Sequence, residues 1–167
     1  GHGIPLFAEI AAEQMRQIAF TAPTMATNPR ALRLADLLIS ITPEQYTTVK
    51  FFSGGSEANE AAIKMARQYH QQTGHPRKYK VIARYKSYHG GTGHAMAASA
   101  QTEWKSKFEP FAAGFLHVTP PNRPGCSACA RLDACTLACV DAIEEAIVNE
   151  DPETVAAVIA EPIMLSA

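Results

Sequence analysis

Short apolar runs that alternate with helical segments constrain the fold of this chain more than any other feature. Three such runs lie at 80–85, 115–118 and 155–160. Apolar residues at helical spacing occupy the intervals around them, over 6–20, 29–42, 56–72 and 140–148. Strands that alternate with helices predict an α/β fold in which helices flank a mainly parallel sheet.

The same pattern carries three finer expectations. Residues 47–52 are β-like in composition and predict a further strand. The continuous apolar run at 155–160 predicts a strand that is buried on both faces. The helix over 56–72 is expected to bury an apolar face, which consists of Ala58, Ala62, Met65, Ala66 and Tyr69.

Composition and charge narrow the classes of function. The 167 residues are 47% hydrophobic and 19% charged, with a net charge of −1. This balance gives no electrostatic reason to expect binding to nucleic acid or to an anionic membrane. No apolar run approaches the roughly 20 residues of a membrane-spanning helix, and residues 1–5 lack a signal-peptide pattern. Because residues 161–167 directly follow a strand-like run, we expect the chain to be truncated.

A glycine-rich turn joins a β-like run to a helix at Gly54-Gly55-Ser56. The first amides of a helix have no partner within the helix and lie at the positive end of its dipole, so such a junction can bind a phosphate. A tight connection with an ordinary serine cap explains the same residues without any ligand. The turn lacks the lysine of a P-loop and the spaced glycines of a dinucleotide fingerprint.

Two more polar clusters follow predicted strands. Tyr88 and His89 follow the first strand and offer a flat ring and a proton-handling group. Glu161 follows the buried strand at 155–160, where a carboxylate needs a partner. A surface loop and a strand-ending salt bridge are the simpler interpretations. Ligands in parallel sheets collect beyond the carboxyl ends of the strands, so we expect these clusters and the glycine turn to meet at one edge of the sheet.

All four cysteines fall in one short stretch with the spacing C-x2-C-x5-C-x3-C. They are Cys126, Cys129, Cys135 and Cys139. Four thiolates are enough for a closed zinc site, and Cys135 and Cys139 would share one face at the start of a helix. Zinc, disulfides and free thiols in an insertion loop remain open, and free thiols are favoured over a metal. A secreted disulfide framework would spread its cysteines along the chain, which favours the cytoplasm.

Separate motifs, in the right order, resemble those of one enzyme family. Residues 53–60 read SGGSEANE, similar to the family's SGSEA.E, and a helix with the A.r.y pattern follows at 66–69. Residues 88–92 read YHGGT, similar to YHG.T, and residues 155–163 read VAAVIAEPI, similar to aAviaEPi. Residues 1–5 fit a GH..P segment. The chain thus resembles, over essentially its whole length, the class III (ω-type) aminotransferases of fold-type I, which use pyridoxal 5′-phosphate (PLP).

This resemblance implies roles for five residues in binding PLP. Gly55 and Ser56 would hold the phosphate through backbone N–H groups and the serine hydroxyl. Tyr88 would stack on the pyridine ring, with His89 beside it. Glu161 would lie near the edge of the ring and support the hydrogen bonds there. Gly54 departs mildly from the family pattern, which has serine before Gly-Ser.

The resemblance also implies a function and a domain. Residues 1–167 would form part of the PLP-binding large domain of a homodimeric enzyme, with a cysteine-containing insertion at about 120–139. The enzyme would move an amino group from an amine or ω-amino acid to a keto acid. The lysine that forms the Schiff base is expected downstream of Ala167, so no catalytic residue is assigned within this chain, and the isolated chain is expected to be inactive.

Two alternatives remain open at this stage. A PLP-dependent decarboxylase, racemase or aminomutase could use the same scaffold, because most substrate contacts lie outside these residues. A non-catalytic fragment that binds the cofactor or a metal is the second alternative.

Overall fold

A computed structural model of the chain describes residues 2–22, 24–121 and 135–165. The chain divides into two compact units, Gly1–Phe51 and Phe52–Ala167. The second unit contains all three strands and every residue to which the sequence assigned a PLP-binding role.

The first unit contains two helices, α1 (Pro5–Gln17) and α2 (Pro29–Ile41). Both begin with proline, whose fixed φ angle suits the first helical position. Asn28 caps α2 by accepting a hydrogen bond from the Ala31 N–H at 2.9 Å, which satisfies one otherwise unpaired amide. The two predicted helices are therefore confirmed, although α1 ends three residues earlier than expected.

The second unit is built on a three-stranded parallel sheet with the order β2-β1-β3. Its strands are β1 (Lys80–Arg84), β2 (Phe115–Val118) and β3 (Val155–Val158). In the register, Ile82 pairs with Leu116 on one side and with Val158 on the other. The helices are α3 (Gly55–Gln72), α4 (Gly93–Ala98), α5 (Thr102–Lys105) and α6 (Ala138–Asn149), and a 3₁₀ turn at Pro152–Thr154 leads into β3. The predicted α/β architecture is confirmed.

Both faces of the central strand are covered. Ile82 is fully buried and packs with Val118 and Val155 against the apolar side of α6, which includes Ile143 and Ile147. Val81 and Ala83 point to the opposite face, because successive side chains alternate along a strand, and they are buried as well. In the same unit α4 contacts β1 and β2, and α3 contacts β3. The core therefore fixes the carboxyl ends of β1 and β3 beside each other.

The predicted inward face of α3 is wrong. Met65 and Tyr69, assigned to the core, are 50% and 62% exposed, whereas Ala61 and Ile63 are buried. Polar side chains near the beginning of the helix, Asn59 and Glu60, are half-buried and bonded to the loop after β1. The apolar stripe misled the prediction because this helix packs its first turns against a polar loop.

Two strand predictions also need correction. Residues 47–52 form no strand, and the sheet in the described ranges consists of β1, β2 and β3. The run at 155–160 is a strand only as far as Val158, which is 45% exposed. On the side away from β1, β3 has no pairing strand in the described part of the chain, so its burial is incomplete.

Candidate functional site

The N-terminus of α3 is open. Its N-cap is Gly54, and within the described residues no side chain caps it. A Cβ atom added at Gly54 or Gly55 would find no described atom within 4 Å. The Glu57 carboxylate accepts a hydrogen bond from the Ser53 N–H at 2.9 Å, which fixes the chain as it enters the helix. The result is a positive helix end whose first-turn amides lie beside glycines with open space around their Cβ positions.

The loop after β1 lies directly against this helix end. The Gly91 N–H donates to the Ser56 Oγ at 3.0 Å. Gly90 has a φ of +139°, and a Cβ there would lie 2.6 Å from the Ser56 Oγ and 2.8 Å from its Cα. Only glycine combines this backbone angle with so close an approach. The Ser56 hydroxyl still has its own proton to donate, because a hydroxyl accepts and donates at the same time.

Glu161 connects the end of β3 to the same loop. Its Oε1 accepts a hydrogen bond from the Tyr88 N–H at 2.8 Å, and its backbone carbonyl accepts one from Arg84 at 3.3 Å. The three predicted clusters are thus linked through one loop: Ser56 touches it at Gly91, and Glu161 touches it at Tyr88. The parallel topology accounts for Tyr88 and Glu161, whereas no strand precedes Ser56. The carboxylate has the partner that a strand-end position demands.

His89 is buried in this loop, with 6% of its surface exposed. Its N–H donates to the Ser99 Oγ at 2.8 Å, and its carbonyl accepts from the Asn59 side-chain amide at 2.6 Å. Its ring Nε2 is buried without a partner among the described residues. Burial lowers the pKa of His89, although the nearby Glu161 carboxylate opposes the shift, so the ring is neutral at pH 7.

An apolar cavity of about 560 Å³ borders Tyr88 and Glu161, and Met96, Trp104, Phe108 and Leu165 line the rest of it. The Tyr88 and Trp104 rings meet edge to face, with centroids 5.6 Å apart, a favoured aromatic geometry. A flat ligand beside Tyr88 would therefore meet an apolar wall. A separate depression around Lys105 and His117 does not include any of the predicted residues.

Sequence reasoning missed the residues that hold the loop in place. Asn59, Glu60 and Ser99 all bond to it, and Trp104 flanks Tyr88. Asn59 and Glu60 follow Ser56 by three and four residues, so they share its face of the helix. That spacing is the signal in the sequence that points to these two residues.

The cysteine stretch lies mostly outside the described residues, including Cys126 and Cys129. Cys135 is exposed and precedes α6, whereas Cys139 is buried within it. The expectation that both lie on one face of a helix start is therefore wrong, because α6 begins at Ala138. No group of three or more metal-binding side chains forms in the part of the chain that the structure describes.

No helix formed by the described residues is long and apolar enough to cross a bilayer.

Curated relatives agree with the motifs. The sequence matches the family described as Aminotransferase class-III over residues 1–166. It is 40% identical to an uncharacterized aminotransferase of Bacillus subtilis, covering 98% of this chain and 35% of that protein. It is 32% identical to a hypotaurine/taurine–pyruvate aminotransferase of Paracoccus denitrificans, with 98% and 35% coverage. The chain thus spans about a third of the length of these relatives.

Solved structures give the same answer for the fold. A transaminase from the marine bacterium Virgibacillus superposes with a TM-score of 0.84 at 36% identity, over 98% of this chain and 35% of that one. An amine transaminase from an uncultivated Pseudomonas species, in its PLP-bound form, superposes with a TM-score of 0.88 at 28% identity, over 98% and 38%. The chain shares the fold-type I architecture as a partial domain, and it belongs to the class III aminotransferases, whose cofactor is PLP.

Proposed function

We propose that residues 1–167 are part of the large domain of a transaminase that moves an amino group from an amine or ω-amino acid to a keto acid. One observation carries this proposal. The open N-terminus of α3, the loop 88–92 and Glu161 are joined by hydrogen bonds from Gly91 to Ser56 and from Tyr88 to Glu161. Together they surround a region with a place for an anion at one end and for a flat ring at the other.

The residues fit PLP by their chemistry. The amides of Gly55 and Ser56 and the serine hydroxyl are donors suited to a phosphate, and added Cβ atoms at Gly54 and Gly55 would enter open space. Tyr88 borders an apolar cavity that suits a pyridine ring. The buried and unpartnered Nε2 of His89 offers one more polar contact in the same part of the site.

Each residue has a distinct task in this proposal. Gly55 and Ser56 hold the phosphate, and Tyr88 stacks on the ring. Glu161 fixes the backbone of Tyr88, and its charge lies near the neutral His89 ring. When bound, PLP supplies the carbonyl group that exchanges for the amino group and the electron sink for the substrate carbon. The apolar wall beside Tyr88 excludes water from that side of the ring.

The lysine that bonds to PLP is proposed to lie after residue 167 in the full-length protein, meaning the complete polypeptide that contains this chain. Two of the lysines present here already have structural tasks. Lys80 pairs with Glu150 at 2.8 Å, and Lys105 donates to the carbonyls of Ala97 and Ser99. Because the lysine proposed to lie after residue 167 is absent from the isolated 167-residue chain, we expect that chain to show no transaminase turnover.

The test is to purify the full-length protein with PLP and offer it pyruvate with a panel of amino donors. Relatives named for taurine, putrescine and γ-aminobutyrate make these three the first donors to try. Formation of alanine, measured by chromatography, with matching loss of donor is the expected result. Donor consumption with release of CO₂ or inversion of configuration, and without alanine, would contradict transamination. Turnover by the isolated chain would contradict the placement of the lysine.

We further propose a cytoplasmic homodimer for the full-length protein, because members of this family are typically dimers with PLP near the interface. Light scattering coupled to size-exclusion chromatography would measure the mass of the assembly, and a monomer that retains activity would contradict the dimer.

A further inference from the structure

Glu60, on α3, contacts both the end of the loop after β1 and the first turn of α4. Its Oε1 accepts hydrogen bonds from the Thr92 hydroxyl, the His94 N–H and the Ala95 N–H, at 2.8, 2.7 and 3.1 Å. Its Oε2 lies 3.0 Å from the His94 Nδ1. The side chain is only 21% exposed, so one carboxylate gathers four polar groups in a largely protected position.

These contacts make Glu60 the N-terminal cap of α4. That helix has six residues, and its own N-cap, Thr92, supplies no capping bond. A helix this short is not stable alone, and its first amides need acceptors. Glu60 supplies them from another helix, as a negative charge at the positive end of the dipole. Burial alone would raise the pKa of Glu60, but hydrogen bonds from Ala95, Thr92 and His94 lower it overall, so the group is ionised at pH 7.

Through α4, Glu60 acts on His89 and Tyr88. Ser99, the C-cap of α4, is buried and accepts the His89 N–H at 2.8 Å. Asn59, the neighbour of Glu60, donates to the His89 carbonyl at 2.6 Å. The peptide groups on both sides of His89 are thus held by residues that depend on α3 and α4. Met96 of α4 also lines the cavity beside Tyr88.

We propose that Glu60 and Asn59 are positioning residues for the PLP ring: they fix the loop 88–92 on the same helix whose N-terminus binds the phosphate. The inference rests on the proposed function. The residues proposed to bind the phosphate and the residue proposed to stack on the ring then belong to one rigid unit. Ser56, Asn59 and Glu60 share one face of α3 within it. Neither Glu60 nor Asn59 touches PLP in this arrangement; both act through the loop.

The test compares three variants of the full-length apoprotein: Glu60→Ala, Glu60→Gln and Asn59→Ala. PLP is titrated into each, with tryptophan fluorescence for affinity and the induced circular dichroism of the bound cofactor for its orientation. Glu60→Ala is expected to weaken binding by at least about tenfold and to change the dichroism, because hydrogen bonds to a charged group are lost. Glu60→Gln keeps an oxygen for residues 92, 94 and 95 and should remain within about threefold of wild type.

Asn59→Ala removes one hydrogen bond and should weaken binding by about three- to tenfold. If thermal unfolding shows that Glu60→Ala does not fold, Asn59→Ala tests the positioning inference in its place. The matched control is Glu145→Ala, which removes an exposed carboxylate from α6 and should bind as wild type.

The outcomes separate the two proposals. If wild-type protein binds no PLP, the proposed function is wrong. If wild type binds PLP and Asn59→Ala binds it equally well with unchanged dichroism, the positioning inference alone is wrong. The inference also fails if Glu60→Gln loses as much affinity as a folded Glu60→Ala, because the oxygen acceptor would then not be what matters.

Discussion

In the second unit, the N-termini of α3 and α4 both adjoin the loop 88–92. They differ in whether protein groups accept hydrogen bonds from their first amides. At α3 the cap is Gly54 and the first amides face open space. At α4 the first amides are taken by the Glu60 carboxylate. Both termini carry the same partial positive charge, so the difference lies in what the surrounding residues do with it.

The comparison shows that α3 presents an uncapped N-terminus and also supplies the carboxylate that caps α4. Protein acceptors satisfy the α4 terminus, so that terminus serves only to hold the loop. No described side chain caps the α3 terminus, and its glycines leave space beside it, as the proposed binding of a phosphate there would need. An unsatisfied helix end costs stability until something binds there, and the proposed PLP phosphate would compensate that cost.

The largest effect should come from placing a side chain between the loop 88–92 and the N-terminus of α3. Gly90→Ala places a Cβ 2.6 Å from the Ser56 Oγ at a φ of +139°. We expect the full-length protein to lose roughly 2–4 kcal/mol of unfolding free energy, with PLP binding lost at the same time. Urea denaturation measures the first and absorbance titration the second.

Gly91→Ala is the matched control, since its Cβ would approach only the Tyr88 hydroxyl, at 4.0 Å. It should stay within about 0.5 kcal/mol of wild type. Equal stability of the two alanine variants would show that Gly90 is not constrained by Ser56.

A second change makes the α3 terminus like the α4 terminus. Gly54→Asp supplies a negatively charged cap, which should stabilise the apoprotein by a few tenths of a kcal/mol. The same charge repels the PLP phosphate, and we expect affinity to fall by about tenfold or more. Gly54→Asn caps the helix without the charge and should keep affinity within about threefold. If Asp and Asn bind PLP equally well, the phosphate does not lie at this terminus.

The other end of α4 offers a smaller test. Lys105 donates to the Ala97 and Ser99 carbonyls at 3.3 and 3.2 Å, where a positive charge complements the helix dipole. Lys105→Met should lower the unfolding free energy by about 1 kcal/mol. Lys107→Met, at an exposed neighbouring position, should change it little. A Lys105 variant as stable as the Lys107 variant would mean that Glu60 alone holds the helix.

The smallest effect concerns pH. Burial lowers the pKa of His89 below its ordinary 6.5, and hydrogen bonds that outweigh burial lower the pKa of Glu60 below 4.5. Both groups therefore stabilise the fold above their unfolded pKa values and cease to do so as the pH falls through the folded ones. His89→Gln should flatten the decline in thermal stability that begins below about pH 6.5, and Glu60→Gln the decline below about pH 4.5. Curves parallel to wild type in both windows would contradict these assignments.

The sequence was sufficient for the α/β class and for the order of the helices and of the three strands. Phe115–Val118 is a strand with the predicted ends, and α3 begins within one residue of its prediction. The meeting of Tyr88 and Glu161 followed from the parallel strands β1 and β3, because their carboxyl ends share an edge. Ser56 follows no strand and reaches the same loop through the hydrogen bond from Gly91. The roles assigned to these residues in binding PLP stay predictions.

What the sequence could not show depends on tertiary contacts. Glu60 and Asn59 are polar residues on a helix, which ordinarily face water, and only the loop 30–35 residues later gives them partners. Residues 47–52 have β-like composition, but pairing makes a strand. In both cases the deciding atoms belong to another part of the chain.

The close approach of Gly90 to Ser56 has a consequence for protein engineering. Position 90 must remain glycine whatever residue stands at 56, because a Cβ there would lie 2.8 Å from the backbone Cα of residue 56. A library that randomises the loop 88–92 should therefore keep Gly90 and leave the first turn of α3 unchanged. Transferring this loop to another protein would also require the first two turns of α3, because Ser56, Asn59 and Glu60 bond to it.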